Sequence, residues 1–168
     1  LVPQDPNDEP ASELLKRIAA EKEQLVKDGK IKKDKNFWEG SLAKPPWEIP
    51  NNWVWSRLQD VFEISRGGSP RPAGSPEFFG SSFMPWITVK EITKDKGIYL
   101  LKTSESLTEE GVKRSRTISP NNLLLTNSGA TLGVPKISKI QGCINDGVAL
   151  LRLFHSNDFN NYAYFYLS

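Results

Sequence analysis

Ile49-Pro50-Asn51-Asn52-Trp53-Val54-Trp55-Ser56-Arg57-Leu58-Gln59-Asp60-Val61-Phe62-Glu63-Ile64-Ser65 runs straight into Arg66-Gly67-Gly68-Ser69-Pro70-Arg71, and the change of pattern along it opens a domain. Trp53 and Trp55 alternate, which places both on one face of an extended segment. Leu58, Val61 and Phe62 then fall at the spacing of one face of a short helix. Gly67, Gly68, Pro70 and Pro72 end that periodicity in a turn. The two tryptophans are expected to found the core, with stacking on bases or sugars as the alternative.

Upstream, Asp8, Glu9 and Pro10 are residues that start helices, and Gly29 is a stop. Between them Leu14, Ile18 and Leu25 recur at near-heptad spacing, flanked by Glu13, Lys16, Arg17, Glu21 and Lys22. This predicts an amphipathic helical arm over 1–29 whose apolar stripe seeks a partner helix. Residues 30–52 carry Lys30, Lys32, Lys33 and Lys35, then Pro45, Pro46 and Pro50, a composition suited to a linker. The domain proper is expected over 53–168.

Downstream, the density of Gly and Pro from Gly67 to Gly80 predicts a long exposed loop. Strands are expected at 86–89, 98–101, 123–126, 134–140 and 148–154, a short helix near Thr108 to Lys113, and a last helix starting at Asn157 or Asp158. The fold class is therefore α+β: a curved, mainly antiparallel or mixed sheet with few helices, preceded by the arm.

Net charge is only +2, so any attraction for nucleic acid must come from local clustering. A single cysteine, Cys143, excludes an internal disulfide framework and a cysteine-rich zinc site. No run of about eighteen apolar residues and no signal-peptide pattern occurs, so no membrane is expected and the cytoplasm is the default location. The chain starts at Leu1 and stops inside an aromatic-rich segment, which suggests a fragment.

Catalytic constellations are missing. Lys44-Pro45-Pro46-Trp47 echoes the Asn/Asp-Pro-Pro-aromatic motif of amino-methyltransferases, but lysine offers only donors where that chemistry needs an acceptor. Gly129-Ala130-Thr131-Leu132-Gly133 lacks the Gly-Lys-Ser/Thr ending of a phosphate loop. His155 is the only histidine, so a histidine metal cluster is impossible. The weight moves from an enzyme, such as a nuclease or transferase, to a binding module.

Four local clusters suit nucleic acid. Lys113, Arg114 and Arg116 flank Ser115 and would hold phosphates or read guanine, or form a solvated turn. Arg66 and Arg71 bracket Gly67, Gly68 and Ser69, where absent side chains would let backbone approach a ligand, or simply make a tight turn. Thr88 and Lys90 would share one face of a strand, with Glu91 able to accept from cytosine; a surface salt bridge is the alternative. Asn127, Ser128 and Thr131 form a polar loop in which asparagine can read adenine, though Asn-Ser-Gly is also ordinary turn chemistry.

The Ile-Pro-x-x-Trp-x-Trp opening and its Gly-Gly turn resemble the start of a target recognition domain of a type I restriction-modification specificity subunit. Pro85-Trp86-Ile87-Thr88-Val89-Lys90-Glu91-Ile92, Leu107-Thr108-Glu109-Glu110-Gly111-Val112-Lys113-Arg114-Ser115, Gly129-Ala130-Thr131-Leu132-Gly133 and Cys143-Ile144-Asn145-Asp146-Gly147-Val148-Ala149 follow in the family's order. The N-terminal segment through Leu15 is similar to the helix preceding such domains.

The resemblance implies sequence-specific recognition of double-stranded DNA by a non-catalytic subunit, with one recognition domain, incomplete at its C-terminus, on this chain. Modification subunits carrying S-adenosylmethionine would methylate adenine, and a separate restriction subunit using ATP and Mg would cleave DNA, in antiviral defence. No cofactor is expected on this chain itself. A protein or carbohydrate interaction module without DNA is the alternative, and exposed Trp53 and Trp55 would favour it.

Overall fold

The computed structural model describes residues 5, 7–32, 47–154 and 159–168. Lys33, Lys35, Lys44-Pro45-Pro46, His155 and the expected helix start at Asn157 or Asp158 lie outside them. The chain divides into two compact units, Leu1–Phe62 and Glu63–Ser168.

In the first unit, α1 spans Ala11–Lys27 behind Pro10. Glu9 pairs with Arg17, one carboxylate oxygen accepting from Nη2 at 2.7 Å. At the other end Gly29 adopts φ +68°, which lets the Lys30 amide reach the Leu25 carbonyl at 2.9 Å and its own amide reach Val26 at 3.1 Å. These bonds satisfy carbonyls that the helix end would otherwise leave open. The one-turn α2, Leu58–Val61, is fixed by Asp60, whose carboxylate accepts from the Arg57 amide at 3.0 Å. Helix α1 lies against this segment: the Ala11 amide donates to the Asn52 carbonyl and the Lys22 ammonium to that of Gln59, both at 2.9 Å.

Two expectations change here. Ile18 is only 4% exposed while Leu14 and Leu25 are half-buried, so the stripe expected to stand open for a partner helix is already covered at its centre within this chain. Trp53 is 47% exposed, and Trp55 is half-buried with its ring 5.2 Å from that of Trp47. The described part of this unit has one helix and one further turn, too little apolar surface to enclose the indoles. The core forms elsewhere.

The second unit holds two mixed sheets. One has the order β1-β9-β6-β7-β3, from Phe62–Arg66, Val148–Leu153, Leu123–Thr126, Pro135–Ser138 and Tyr99–Leu100. The other has the order β4-β2-β8-β5, from Glu105–Leu107, Phe79–Ile87, Gly142–Ile144 and Arg116–Ile118. Most pairings are antiparallel; β2 with β8 and β3 with β7 are parallel. The α+β class read from the sequence is the observed one.

Alternation assigns the faces. Ile87 and Ile144 point into a core shared with Leu124, Val148 and Leu150 of the other sheet, together with Ile92, Leu100 and Ile118. Trp86 and Cys143, each one residue earlier, point to the opposite face and pack with Leu107 and Val112. Val112 belongs to α4, Glu109–Lys113, whose N-cap Thr108 accepts from the Gly111 amide at 3.1 Å. Helix α5, Asn160–Leu167, packs on β7 and is tied by the Asn160 amide group, which donates to the Asn121 carbonyl at 2.6 Å.

The run expected to be a strand over 86–89 splits. Ile87 ends β2, and Val89–Thr93 forms the short α3. β-branched Val89 favours a strand, but packing of Val89 and Ile92 on the core from one helical turn overrides that preference.

Candidate nucleic-acid interface

The β8–β9 connection, Asn145-Asp146-Gly147, is a turn closed by the Val148 amide on the Asn145 carbonyl at 3.0 Å. Three of the four clusters singled out in the sequence touch this turn or a neighbour of it.

The loop after β1 lies directly on it. The Gly67 amide donates to the Val148 carbonyl at 2.9 Å and the Gly68 amide to that of Ile144 at 3.1 Å. A β-carbon on Gly67 would meet the Asn145 carbonyl oxygen at 2.1 Å, so this glycine admits the chain's own backbone. That corrects the expectation of a ligand there. Arg66 Nε donates to the Asp146 carbonyl, and the Ser69 hydroxyl to the Asp146 carboxylate, both at 2.6 Å.

The turn between α4 and β5 joins the same assembly. The Ser115 hydroxyl is 2.8 Å from the Gly68 carbonyl and 3.2 Å from that of Ile144, and Arg116 Nε donates to the Arg66 carbonyl at 2.7 Å. Residues some fifty positions apart in sequence thereby become neighbours. The β6–β7 loop meets the turn from another side: the Asn127 amide donates to the Gly147 carbonyl at 2.9 Å. With its amide oriented to satisfy its surroundings, Asn127 Nδ2 also donates to the carbonyls of Asp146 and Gly147 at 3.1 Å. Asn127 thus faces inward and serves the turn chemistry that is the other reading of Asn-Ser-Gly, not a base edge, while Ser128 and Thr131 stay exposed.

Glu91 also leaves the candidate surface. It is 3% exposed and binds the Lys94 ammonium at 2.6 Å, the Ser104 amide at 3.1 Å and the Ser104 hydroxyl. Burial pushes its carboxyl up, but those hydrogen bonds outweigh it and hold the group below the usual range. Thr88 is half-buried and Lys90, on α3, is exposed; the helix replaces the strand face they were expected to share.

The cations differ in availability. Lys113 is 2.5 Å from Glu110, which raises its pKa. Arg66, Arg71, Arg114 and Arg116 are exposed and form no salt bridge among the described residues. The Arg114 guanidinium lies 5.9 Å from the Phe78 ring centroid, a cation–π contact that orients it. Between the arginines sits Asp146, held below the usual carboxylate range by the Ser69 hydroxyl first and by Arg71 and Arg66 as well. A groove of about 350 Å³ opens beside it, lined among others by Ser69, Arg71, Trp86, Glu105 and Asn145.

Asn145 and Asp146 were not candidates from sequence. The available signal was Asn-Asp-Gly between the apolar runs of β8 and β9, a turn on which other loops can converge. Among the described residues no group of three or more His, Cys, Asp or Glu could hold a metal, and no helix is long and apolar enough to cross a membrane.

Residues 50–168 match the model of the type I restriction modification DNA specificity domain. The chain belongs to this family. The EcoAI specificity subunit of Escherichia coli is 63% identical over 65 residues, which is 39% of this chain and 11% of that one. The MjaIX specificity subunit of Methanocaldococcus jannaschii is 30% identical over 119 residues, 70% of this chain and 26% of that one. The chain therefore spans 11% to 26% of these two relatives' length. In fold, the specificity domain resembles the HsdS subunit from Thermoanaerobacter tengcongensis, with a TM-score of 0.57 at 20% identity over 94% of this chain and 35% of that one. A structure from a type I restriction-modification assembly study gives a TM-score of 0.55 at 22% identity, covering 93% and 38%.

Proposed function

We propose that this chain reads double-stranded DNA by sequence, as part of the specificity subunit of a type I restriction-modification assembly. The observation that carries the reading is the convergence of three polar loops on the Asn145-Asp146-Gly147 turn, with exposed arginines around it and internally bonded backbone beneath. Arg114 and Arg116 hold phosphates; Arg66, Arg71, Lys90, Ser128 and Thr131 face base edges. The chemistry belongs to partners: modification subunits with S-adenosylmethionine, and an ATP- and Mg-dependent restriction subunit, all in the cytoplasm. Residues 53–168 make up the recognition domain, with 1–29 the helical segment and 30–52 the connection.

The test is selection of duplexes from a randomised pool by the full-length subunit assembled with its partners. Recovery of a defined half-target that changes when this recognition domain is exchanged supports the reading; recovery of random sequence refutes it. Exposed Trp53 favours a second role for the first unit, contact with a protein partner in the same assembly.

A further inference from the structure

We infer that Ser69 and Asp146 are a positioning pair on which sequence discrimination depends, and bare affinity for DNA does not; the inference rests on the DNA-reading function proposed above. The two residues stand 77 positions apart and bond reciprocally: the Ser69 hydroxyl donates to the Asp146 carboxylate at 2.6 Å and accepts from the Asp146 amide at 3.3 Å. The loop after β1 is thus pinned to the β8–β9 turn by side chain as well as backbone.

Two arginines hang on this joint. Arg66 Nε is bonded to the Asp146 carbonyl, and the Arg66 carbonyl accepts from Arg116 Nε. Displacing Asp146 therefore displaces Arg66, and through it Arg116. Neither Ser69 nor Asp146 suits phosphate contact directly, since the carboxylate repels phosphate and the hydroxyl is already engaged. Attraction of arginine for the DNA backbone tolerates a shift of the guanidinium, because it is mainly electrostatic. A bidentate bond to a base edge does not, because hydrogen bonds weaken steeply with poor distance and angle.

The experiment uses the full-length subunit with the partners it assembles with, and two probes: the duplex it selects from a randomised pool, and a scrambled duplex of equal length. Ser69→Ala and Asp146→Ala are each expected to reduce the preference for the selected duplex by roughly tenfold. Scrambled-duplex binding keeps its salt slope, the double variant is no worse than either single one, and Asp146→Asn, which still offers an oxygen to Ser69, retains most of the preference. Ser69→Ala removes one oxygen from a half-buried site, so it keeps the test decidable where Asp146→Ala fails to fold. Folded single variants with wild-type preference, or losses that add in the double variant, overturn the positioning role. A wild-type assembly that prefers no sequence overturns the underlying function instead.

Discussion

Gly67 and Asn145 are packed backbone to backbone, with room for hydrogen alone: a β-carbon on Gly67 would lie 2.1 Å from the Asn145 carbonyl oxygen and 2.5 Å from that of Ile144. Neither obstacle is a flexible side chain. Gly67→Ala must push β1 and the β8–β9 turn apart, and a loss of about 1–3 kcal/mol or more is expected in urea unfolding of the assembled subunit. Gly68→Ala is the control. Its β-carbon would meet the Arg114 carbonyl at 3.4 Å, so it should stay within about 0.5 kcal/mol of wild type.

Arg114 and Arg116 should differ from Lys113 in their effect on DNA. Each arginine is exposed without a salt bridge among the described residues, whereas Lys113 already neutralises Glu110. Arg114→Ala and Arg116→Ala are expected to weaken duplex binding and each to reduce the slope of log K against log salt by about 1. Lys113→Ala should change both less. Titrations at several salt concentrations decide it, and equal effects at all three positions would count against the assignment of phosphate contacts.

Glu91 gives the fold an acid limit. Its pKa is lowered in the folded state, so its contribution to stability is fully present above the unfolded carboxylate pKa and is lost as pH falls through the folded value. Below about pH 5 the wild type should lose stability progressively, and Glu91→Gln should flatten that fall. Asp95 and Asp146, also lowered, contribute in the same direction, so the variant's dependence should shrink without vanishing. Urea midpoints between neutral pH and the acid limit provide the measurement.

The pattern of legibility has a physical cause. Short continuous apolar runs such as Leu123-Leu124-Leu125 and Val148 to Leu151 announce buried strands, and Gly29 announces a helix end, because each signal is local. The short strands β4, β5 and β8, and the helical state of Val89–Thr93, depend on partners distant in sequence, so no local pattern declares them. The same holds for the site. Its basic and polar loops could be found one at a time, but their convergence on Asp146 exists only after β8 and β9 bring that turn beside Gly67 and Asn127. Glu91 and Asn127 have side chains that suit base edges, but in the fold Glu91 is buried against Lys94 and Ser104 and Asn127 holds the carbonyls of Asp146 and Gly147.

Lys136 is a buried cation whose removal should be felt at a distance along the chain. It is 2% exposed on β7, and its ammonium donates to the Asp95 carboxylate at 2.7 Å and to the carbonyls of Asp95 at 3.0 Å and Gly97 at 2.5 Å. The bonds fasten the segment between α3 and β3 to the first sheet. Lys136→Met keeps the apolar stem but leaves the two carbonyls without this donor, which should cost about 1–3 kcal/mol. Hydrogen exchange should quicken around Asp95 to Ile98, where the Ile137 amide also bonds the Ile98 carbonyl at 2.9 Å. Lys139→Met tests the specificity of the effect. Its ammonium lies over the exposed Tyr99 ring at 4.5 Å and bonds Asn121 at 2.9 Å, so its loss should stay below about 1 kcal/mol and leave the Asp95 segment protected. Equal exchange in both variants would mean that the buried ammonium does not hold that segment.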